Sequence, residues 1–224
     1  MISLAVFLGN YGRQYACNRH NAAWFFADWL FASSDFLPFA SDLTWQRKFR
    51  GVYASLDPMR LAEKAQKSLS AAASPDGGGP IHPSENLPPR FCFLKPETFM
   101  NLSGESIGEI ARFYRILPEE ILVIHDELEL PPGTVSLKWS GGLGGHNGLR
   151  SAKAVLGTAD FWRLRIGIGR PDHGDVAGYV LSDFTGDEKI LLSQIFPAVS
   201  DLFVRVLLEG PQGYLKGWAK KKLA

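Results

Sequence analysis

Cysteine is scarce in this chain, which has only two cysteines, Cys17 and Cys92, among 224 residues. The pair lies far apart in sequence and matches no metal-ligand spacing. Two cysteines also cannot build the dense disulfide framework of small secreted domains. The sequence does not exclude a single disulfide between them, but free thiols in a reducing compartment fit the pattern better.

Long hydrophobic runs and a large net charge are also missing. No stretch of about 18 or more apolar residues occurs, which argues against a membrane span. The opening segment MISLAVFLGNYG is too short and lacks the basic leader of a signal peptide, so it predicts a strand and a turn in a cytoplasmic protein. A formal net charge of +1 gives no overall attraction to nucleic acid, and any RNA site must therefore be a local basic patch.

The composition, 46% hydrophobic and 21% charged, is that of an ordinary globular protein, and the length predicts one domain over residues 1–224. Apolar runs of strand length alternate with segments of helical periodicity. Strands are predicted at 2–8, 91–94, 121–124, 135–139 and 163–169, and helices at 19–32, 101–114, 149–156 and 187–208, with Asn101 or Ser103 capping the second helix. This alternation predicts an α/β sheet covered by helices on both faces.

One region breaks the alternation. Residues from about 37 to 90 show no comparable pattern, and the stretch AAASPDGGGPIHPSENLPPR at 71–90 is rich in proline, glycine, serine and alanine. Such a composition has little apolar surface to bury, so it predicts a mobile excursion from the domain.

Polar residues follow several of the predicted strands. Asn10 comes after the first strand, Asp126 after the strand at 121–124, and His146 and Asn147 lie in a glycine-rich loop, while His20 opens the first helix. The carboxyl ends of strands are where α/β sheets place their active sites. A histidine base, an acid that orients it and asparagine donors suit hydrolysis by activated water, although each residue taken singly could be structural.

Other chemistries have weaker support. No G-x-S-x-G elbow occurs, which argues against a serine esterase. A cysteine hydrolase that uses Cys17 as its nucleophile, activated by His20, is an alternative that the sequence does not exclude. Adjacent strand residues point to opposite faces, so His125 and Asp126 make a poor metal pair, and no metal site is expected. The loop SGGLGGHNG is neither a Walker loop nor a dinucleotide fingerprint.

Five segments, in order and with compatible spacing, resemble the signature blocks of bacterial peptidyl-tRNA hydrolases. They are GNYGRQYACNRHNAAW, LKPETFMNLSGESIG, VIHDELELPPGTVSLKWSGGLGGHNGLRS, FWRLRIGIGRP and DVAGYVLSDFTGDE. The resemblance implies a monomeric α/β fold around a mixed, twisted sheet, with no cofactor. It also implies hydrolysis of the ester between a peptide and tRNA by water that a histidine activates.

The resemblance carries site residues over one by one. His20 matches the catalytic base, Asp126 matches the acid bonded to it, and Asn10 matches the asparagine beside that histidine. The other matched positions hold the substrate's peptide part, line the cleft or contact the terminal phosphate region of tRNA, and they are Asn101, Asn147, His146, Tyr15, Phe99, Met100, Lys138 and Arg165.

The chain departs from the family pattern in places that spare these positions. Tyr11 replaces the usual proline, Ala23 replaces a glycine, and Leu143 stands where a small or polar residue is more common. Residues from about 55 to 90 look like a flexible insertion. The departures put loop shape in doubt rather than the chemistry.

Two questions stay open at this point. A non-catalytic RNA-binding protein on the same fold, like organellar relatives that act in intron splicing, is the alternative to an enzyme. The lysine-rich end of the chain, which includes Lys216 and residues 220–222, either contacts RNA or forms a solvated terminus.

Overall fold

A mixed eight-stranded sheet forms the centre of the protein in a computed structural model that describes residues 1–33, 43–69, 79–171 and 174–224. The strand order is β2-β3-β4-β1-β5-β7-β6-β8. The strands are β1 (Leu4–Phe7), β2 (Gln46–Lys48), β3 (Gly51–Leu56), β4 (Phe91–Pro96), β5 (Ile121–Glu127), β6 (Thr134–Trp139), β7 (Trp162–Gly167) and β8 (Lys221–Lys222).

The parallel centre of the sheet positions the functional residues. Strands β4, β1, β5 and β7 run parallel, whereas the strands at both edges pair antiparallel. Phe7 in β1 pairs with Ile124 in β5, so the loop after β1 and the end of β5 emerge side by side. The predicted mixed α/β sheet is confirmed.

Helices cover both faces of the sheet. The described helices are α1 (Ala22–Ala32), α2 (Pro58–Leu69), α3 (Ser103–Tyr114), α4 (Asn147–Leu156), α5 (Val176–Leu181) and α6 (Gly186–Glu209). Alternate side chains of β1 divide between two cores, because successive strand residues point to opposite faces. Phe7 packs in a core with α1 and α6, whereas Val6 packs in a core with α3 and α4.

Helix α6 begins at a capping box, in which the side chains of Thr185 and Glu188 each bond the other residue's backbone N–H. It is the one helix within the described residues that is long and apolar enough to cross a membrane, yet 67% of its most apolar stretch is buried in the molecule. Core helices of this length meet the same criteria, and α6 lies in the core beside α1.

The prediction that residues 37–90 lack regular structure is wrong for much of the region that the structure describes. Strands β2 and β3 and helix α2 lie there. The core side of α2 presents Leu61, Ala62 and Ala65 at helical spacing, so the sequence does carry a periodic signal for this helix.

The predicted excursion is also shorter than expected. Ile81 is buried in the core, the Ser84 N–H donates to the carbonyl of Leu208 at 2.7 Å, and Arg205 donates to the carbonyl of Gly79 at 2.9 Å. Residues 79–84 therefore contact α6. Residues 71–78 of the predicted excursion lie outside the described residues.

The predicted caps of the second helix are wrong as well. A 3-10 turn, Met100–Leu102, leads directly into α3, whose cap position is Leu102 and has no side-chain hydrogen bond. A neighbouring helix supplies a partner instead, because the Gly104 N–H donates to Oγ of Ser151 in α4 at 2.9 Å. A Cβ on Gly104 would lie 2.1 Å from the Ser151 carbonyl oxygen, so the close contact of α3 with α4 requires glycine there.

Candidate active site

A cleft of about 760 Å³ opens where the carboxyl ends of β1 and β5 meet. All of the predicted site residues line it except Lys138 and Arg165. Those that do are Asn10, Tyr15, His20, Phe99, Met100, Asn101, Asp126, His146 and Asn147. Residues far apart in the chain meet here because parallel strands place their carboxyl ends at one edge of the sheet.

His20 and Asp126 form a buried pair at the floor of the cleft. Nδ1 of His20 lies 2.9 Å from each carboxylate oxygen of Asp126, and only 3% of Asp126 is exposed. Burial lowers the pKa of His20, but the charge of Asp126 and the hydrogen bond to it outweigh burial and hold that pKa above its usual value. Nδ1 therefore carries the proton, and Nε2 is left as the basic nitrogen.

Asp126 stays ionised despite its burial. Burial raises its pKa, but the neighbouring His20 and His146, through charge and hydrogen bonds, bring that pKa well below the usual range. A charged carboxylate this deep in a protein needs such partners, since desolvation alone would neutralise it.

The second partner, His146, has a role that the sequence did not reveal. Its Nδ1 accepts hydrogen bonds from the N–H groups of Gly148 and Leu149 and so caps helix α4. The ring proton therefore lies on Nε2, which donates to Oδ1 of Asp126 at 3.0 Å. The structure thus gives His146, predicted as a substrate-binding residue, a contact that orients the carboxylate.

Asn10 is held by its backbone and by its side-chain oxygen. Its backbone N–H and carbonyl both bond the side chain of Asn21, and its Oδ1 accepts from the Met100 N–H at 2.8 Å. The amide nitrogen Nδ2 is thereby the group left to face the cleft. Asn21 was not predicted as a site residue, although it follows His20 directly in the sequence.

Asn101 and Asn147 are exposed on the cleft walls, in the turn before α3 and in the first turn of α4. A Cβ at Gly148 would lie 2.6 Å from Sδ of Met100, so the two walls pack closely where they meet. Both asparagine amides remain accessible to a bound molecule.

The glycines of the loop between β6 and α4 allow a turn of the backbone. Gly141, Gly144 and Gly145 have φ values of 88°, 58° and 78°, in the left-handed region that favours glycine. This geometry carries the chain from β6 to the His146 cap of α4, which explains glycines that fit no nucleotide-binding motif.

His125 lies on the other face of β5 from Asp126, as the alternation of strand residues predicts. It pairs across the sheet with Arg165, whereas Asp126 pairs with Ile166 of the α1–α6 core. Burial, reinforced by His146, lowers the pKa of His125 well below its usual range, so the ring is neutral. Its Nδ1 donates to the backbone carbonyl of Asp126 at 2.6 Å.

Within the described residues, His20, Asp126 and His146 form the group with the composition of a metal site, since their ligand atoms lie within 4.8 Å of one another. The two nitrogens that face the carboxylate already donate hydrogen bonds to it. A cation would therefore have to displace both ring protons, and hydrogen bonding alone accounts for the arrangement.

Lys138 and Arg165 do not line the cleft. Arg165 donates to Glu127, which does line the cleft, at 3.1 Å and to Oγ of Ser136 at 2.9 Å. Burial and the nearby Arg165 and Arg163 lower the pKa of Lys138, whereas the charge of Glu127 acts in the opposite direction.

Several lining residues were not among the predicted site residues. They include Arg150 and Arg170, and an apolar wall from helix α5 formed by Val176, Ala177, Val180 and Leu181. Helix α5 is too short for its periodicity to stand out in the sequence.

Arg19 connects this wall to the turn that carries His20. Its guanidinium binds Glu188 at 2.7 Å, lies 4.6 Å from the ring centre of Tyr179 in α5, and donates to Oγ of Ser182. The residue before His20 therefore ties the 3-10 turn Arg19–Asn21 to α5 and α6.

Known proteins share both the sequence and the fold. The model of the peptidyl-tRNA hydrolase family matches residues 4–224. Peptidyl-tRNA hydrolase of Treponema pallidum (strain Nichols) is 41% identical over 227 residues, which cover 99% of this chain and 96% of the relative. That of Delftia acidovorans is 44% identical over 193 residues, covering 86% of this chain and 77% of the relative.

A crystal structure of peptidyl-tRNA hydrolase from Acinetobacter baumannii superposes with a TM-score of 0.75 at 32% identity, covering all of this chain and 97% of the other. A complex of peptidyl-tRNA hydrolase with N-propanol superposes with a TM-score of 0.73, also at 32% identity, covering 97% and 94% of the two chains. The resemblance seen in the sequence blocks thus extends over the whole chain, which belongs to the peptidyl-tRNA hydrolase family.

Proposed function

We propose that the chain hydrolyses the ester bond between a peptide and the 3′ end of tRNA, with His20 as the base that activates water. Membership of the family makes the chain a peptidyl-tRNA hydrolase. The observation that supports the mechanism is the buried pair in which Asp126 holds Nδ1 of His20 at 2.9 Å and leaves Nε2 free toward the cleft.

The reaction follows from that pair. Nε2 of His20 takes a proton from water as the water oxygen adds to the ester carbonyl carbon, and Asp126 stabilises the resulting imidazolium. Nε2 then returns the proton to the ribose oxygen as the ester C–O bond breaks. The products are free tRNA and a peptide with a new carboxyl group.

Amide groups stabilise the negative charge that develops on the carbonyl oxygen. Nδ2 of Asn10 is available, because Oδ1 of that residue accepts from Met100. Asn147 lies at the first turn of α4, where the positive end of the helix dipole adds to its own donor.

The peptide part is held by groups that do not distinguish side chains. Asn101 and Asn147 bond main-chain N–H and C=O groups, and Tyr15, Phe99 and Met100 provide apolar contact. An enzyme that releases any peptide from tRNA needs this kind of recognition.

Lys138 and Arg165 hold the terminal phosphate region of the tRNA. Contacts with phosphates are independent of base sequence and weaken with salt, as suits an enzyme acting on many tRNAs. We further propose that the enzyme acts as a monomer in the cytoplasm without a metal ion or cofactor, because one chain supplies the base, its partner and the donors.

The test compares turnover of N-blocked aminoacyl-tRNA and free aminoacyl-tRNA by the wild-type chain and by His20→Ala. We expect hydrolysis of the blocked substrate and a loss of kcat by about 10²-fold or more in the variant, the usual contribution of a general base. His82→Ala, at an exposed histidine outside the cleft, is the matched control and should keep wild-type turnover.

Near-wild-type turnover by a folded His20→Ala protein would refute the mechanism. Tight tRNA binding by a wild-type chain that turns over neither substrate would favour the non-catalytic RNA-binding alternative.

A further inference from the structure

The lysine-rich end of the described chain is part of the sheet. Lys221 and Lys222 form strand β8, which pairs antiparallel with β6 through Val135 and Thr134. The Leu223 N–H donates to the carbonyl of Gly133 at 2.8 Å, which extends the pairing. The backbone of this segment therefore has a fixed position beside β6.

The pairing assigns each lysine to a face of the sheet. Lys222 lies opposite Thr134, and directly opposed residues of antiparallel strands share a face. Ser136 and Lys138 follow Thr134 at intervals of two and so lie on that same face. Lys221 lies on the other face, where its amino group is 4.5 Å from the ring centre of Trp218.

The face that carries Lys222 is also that of Arg165. Arg165 lies opposite Ser136 in β7 and bonds its Oγ at 2.9 Å. Lys138 and Lys222, four residue positions apart along β6, are separated by roughly 13 Å at about 3.3 Å per residue. Arg165 lies in β7 at a level between these two, so the three cations form a cluster on one face of β7, β6 and β8.

This cluster has little acidic compensation. Glu127 pairs with Arg165 and also attracts Lys138, but neither Lys138 nor Lys222 has a carboxylate within 4.0 Å in the parts of the chain that the structure describes. The neighbouring Arg163 donates to the carbonyls of Gly141 and Gly142 rather than to an acid. Lys220 and Lys222 are exposed, so the surplus charge continues to the edge of the sheet.

We propose that β8 extends the tRNA-binding surface, with Lys220 and Lys222 contacting the phosphate backbone beyond the phosphates bound by Lys138 and Arg165. The occupant is inferred from charge complementarity, because several cations on one face of the sheet attract the phosphates of a polyanion. This inference rests on the proposed function, which places a tRNA end in the adjacent cleft.

The test measures the affinity for deacylated tRNA over a range of salt concentrations, and KM for N-blocked aminoacyl-tRNA. Lys220→Ala/Lys222→Ala is compared with Lys189→Ala, which removes an exposed charge from α6. The double variant should fold normally, since the pairing of β8 uses backbone groups. We expect weaker binding, a higher KM and a salt slope smaller by about 0.7–0.9 for each lost contact.

Hydrolysis of a minimal N-blocked aminoacyl ester of adenosine should not change in the double variant. Unchanged tRNA affinity and salt slope, or an equal loss with the minimal ester, would overturn the proposal. Loss of binding to vesicles with anionic lipid, together with wild-type tRNA affinity, would also overturn it and would assign the lysines to a membrane surface.

Because binding of deacylated tRNA needs no turnover, this surface is tested separately from the proposed function. A wild-type chain that binds tRNA through these lysines but hydrolyses no ester would retain the surface and refute the enzyme. If the wild-type chain hydrolyses the ester and the double variant binds tRNA as tightly as the wild type, the proposed function stands and the β8 surface is refuted.

Discussion

Charged side chains lie both at the end of β5 and on the face of β6 and β8 that carries Lys138 and Lys222, but their environments differ. Asp126 is 3% exposed and has two histidine donors, so its charge is fixed in place and shielded from water. Lys222 is exposed and Lys138 half-buried, and both lie on a face with surplus positive charge. A fixed, buried charge suits proton transfer, whereas accessible cations suit the attraction of a polyanion.

The physical difference is the dielectric environment. Charges in a buried network interact strongly and salt hardly screens them, whereas charges in water are screened over about 8–10 Å at physiological ionic strength. Substitutions at the end of β5 should therefore change kcat and its pH dependence. Substitutions on the β6–β8 face should change affinity and its salt dependence.

The largest effect is expected from Asp126→Asn, which removes the charge and keeps the shape. The kcat should fall by about 10²-fold or more but by no more than in His20→Ala, because Asp126 acts through His20, while the affinity for deacylated tRNA stays unchanged. A comparable loss of tRNA affinity would contradict the separation of the two regions.

The pH–rate profile sharpens the same prediction. His20 works as a base only when it is deprotonated, so activity rises as the pH passes its pKa. Asp126 raises that pKa, so the kcat of the wild-type protein should rise at a pH above about 6.5. In Asp126→Asn only burial remains, which lowers the pKa, so the residual activity should rise at a lower pH. If the activity of Asp126→Asn rises at the same pH as that of the wild type, Asp126 does not set the pKa of His20.

The next effect is expected from Lys138→Ala/Arg165→Ala. KM for N-blocked aminoacyl-tRNA should rise by about 10-fold or more, and the salt slope should fall by about 0.7–0.9 per lost phosphate contact. Glu127 loses its partner in this variant, which adds negative charge at the cleft wall and strengthens the effect. The control is Lys189→Ala.

A minimal ester without the tRNA body separates the two regions here as well. Its hydrolysis by Lys138→Ala/Arg165→Ala should stay close to wild type. If both substrates suffer equally, Arg165 supports the catalytic wall through Glu127 rather than binding tRNA.

The smallest effect is expected at His146, which has two separate roles. His146→Ala loses the cap of α4 and should lower the free energy of unfolding by about 1 kcal/mol, whereas His146→Asn can still cap the helix and should lose less. Both variants lose the hydrogen bond to Asp126 and should show a similar drop in kcat. Equal stability of the two variants would show that the ring does not act as a cap.

The sequence predicted the central strands well because buried parallel strands read as continuous apolar runs. The segment at 121–124 illustrates this, since all four of its residues are apolar and buried. Strand β3 was missed because Gly51, Ala54 and Ser55 interrupt its apolar pattern. Helix α2 carries Leu61, Ala62 and Ala65 at helical spacing, so its omission does not reflect a missing signal.

The sequence by itself determined which residues are available for the chemistry, since His20, Asp126 and the asparagines stand at strand and helix ends in recognisable blocks. Only the tertiary structure decided how they are connected. The proton on Nε2 of His146 depends on the N–H groups of α4, and the orientation of Asn10 depends on Asn21 and Met100. The position of Lys222 beside Arg165 depends on strand pairing between segments far apart in the chain. Hydrogen bonds and charges act over a few ångströms in space, and distance along the chain does not specify them.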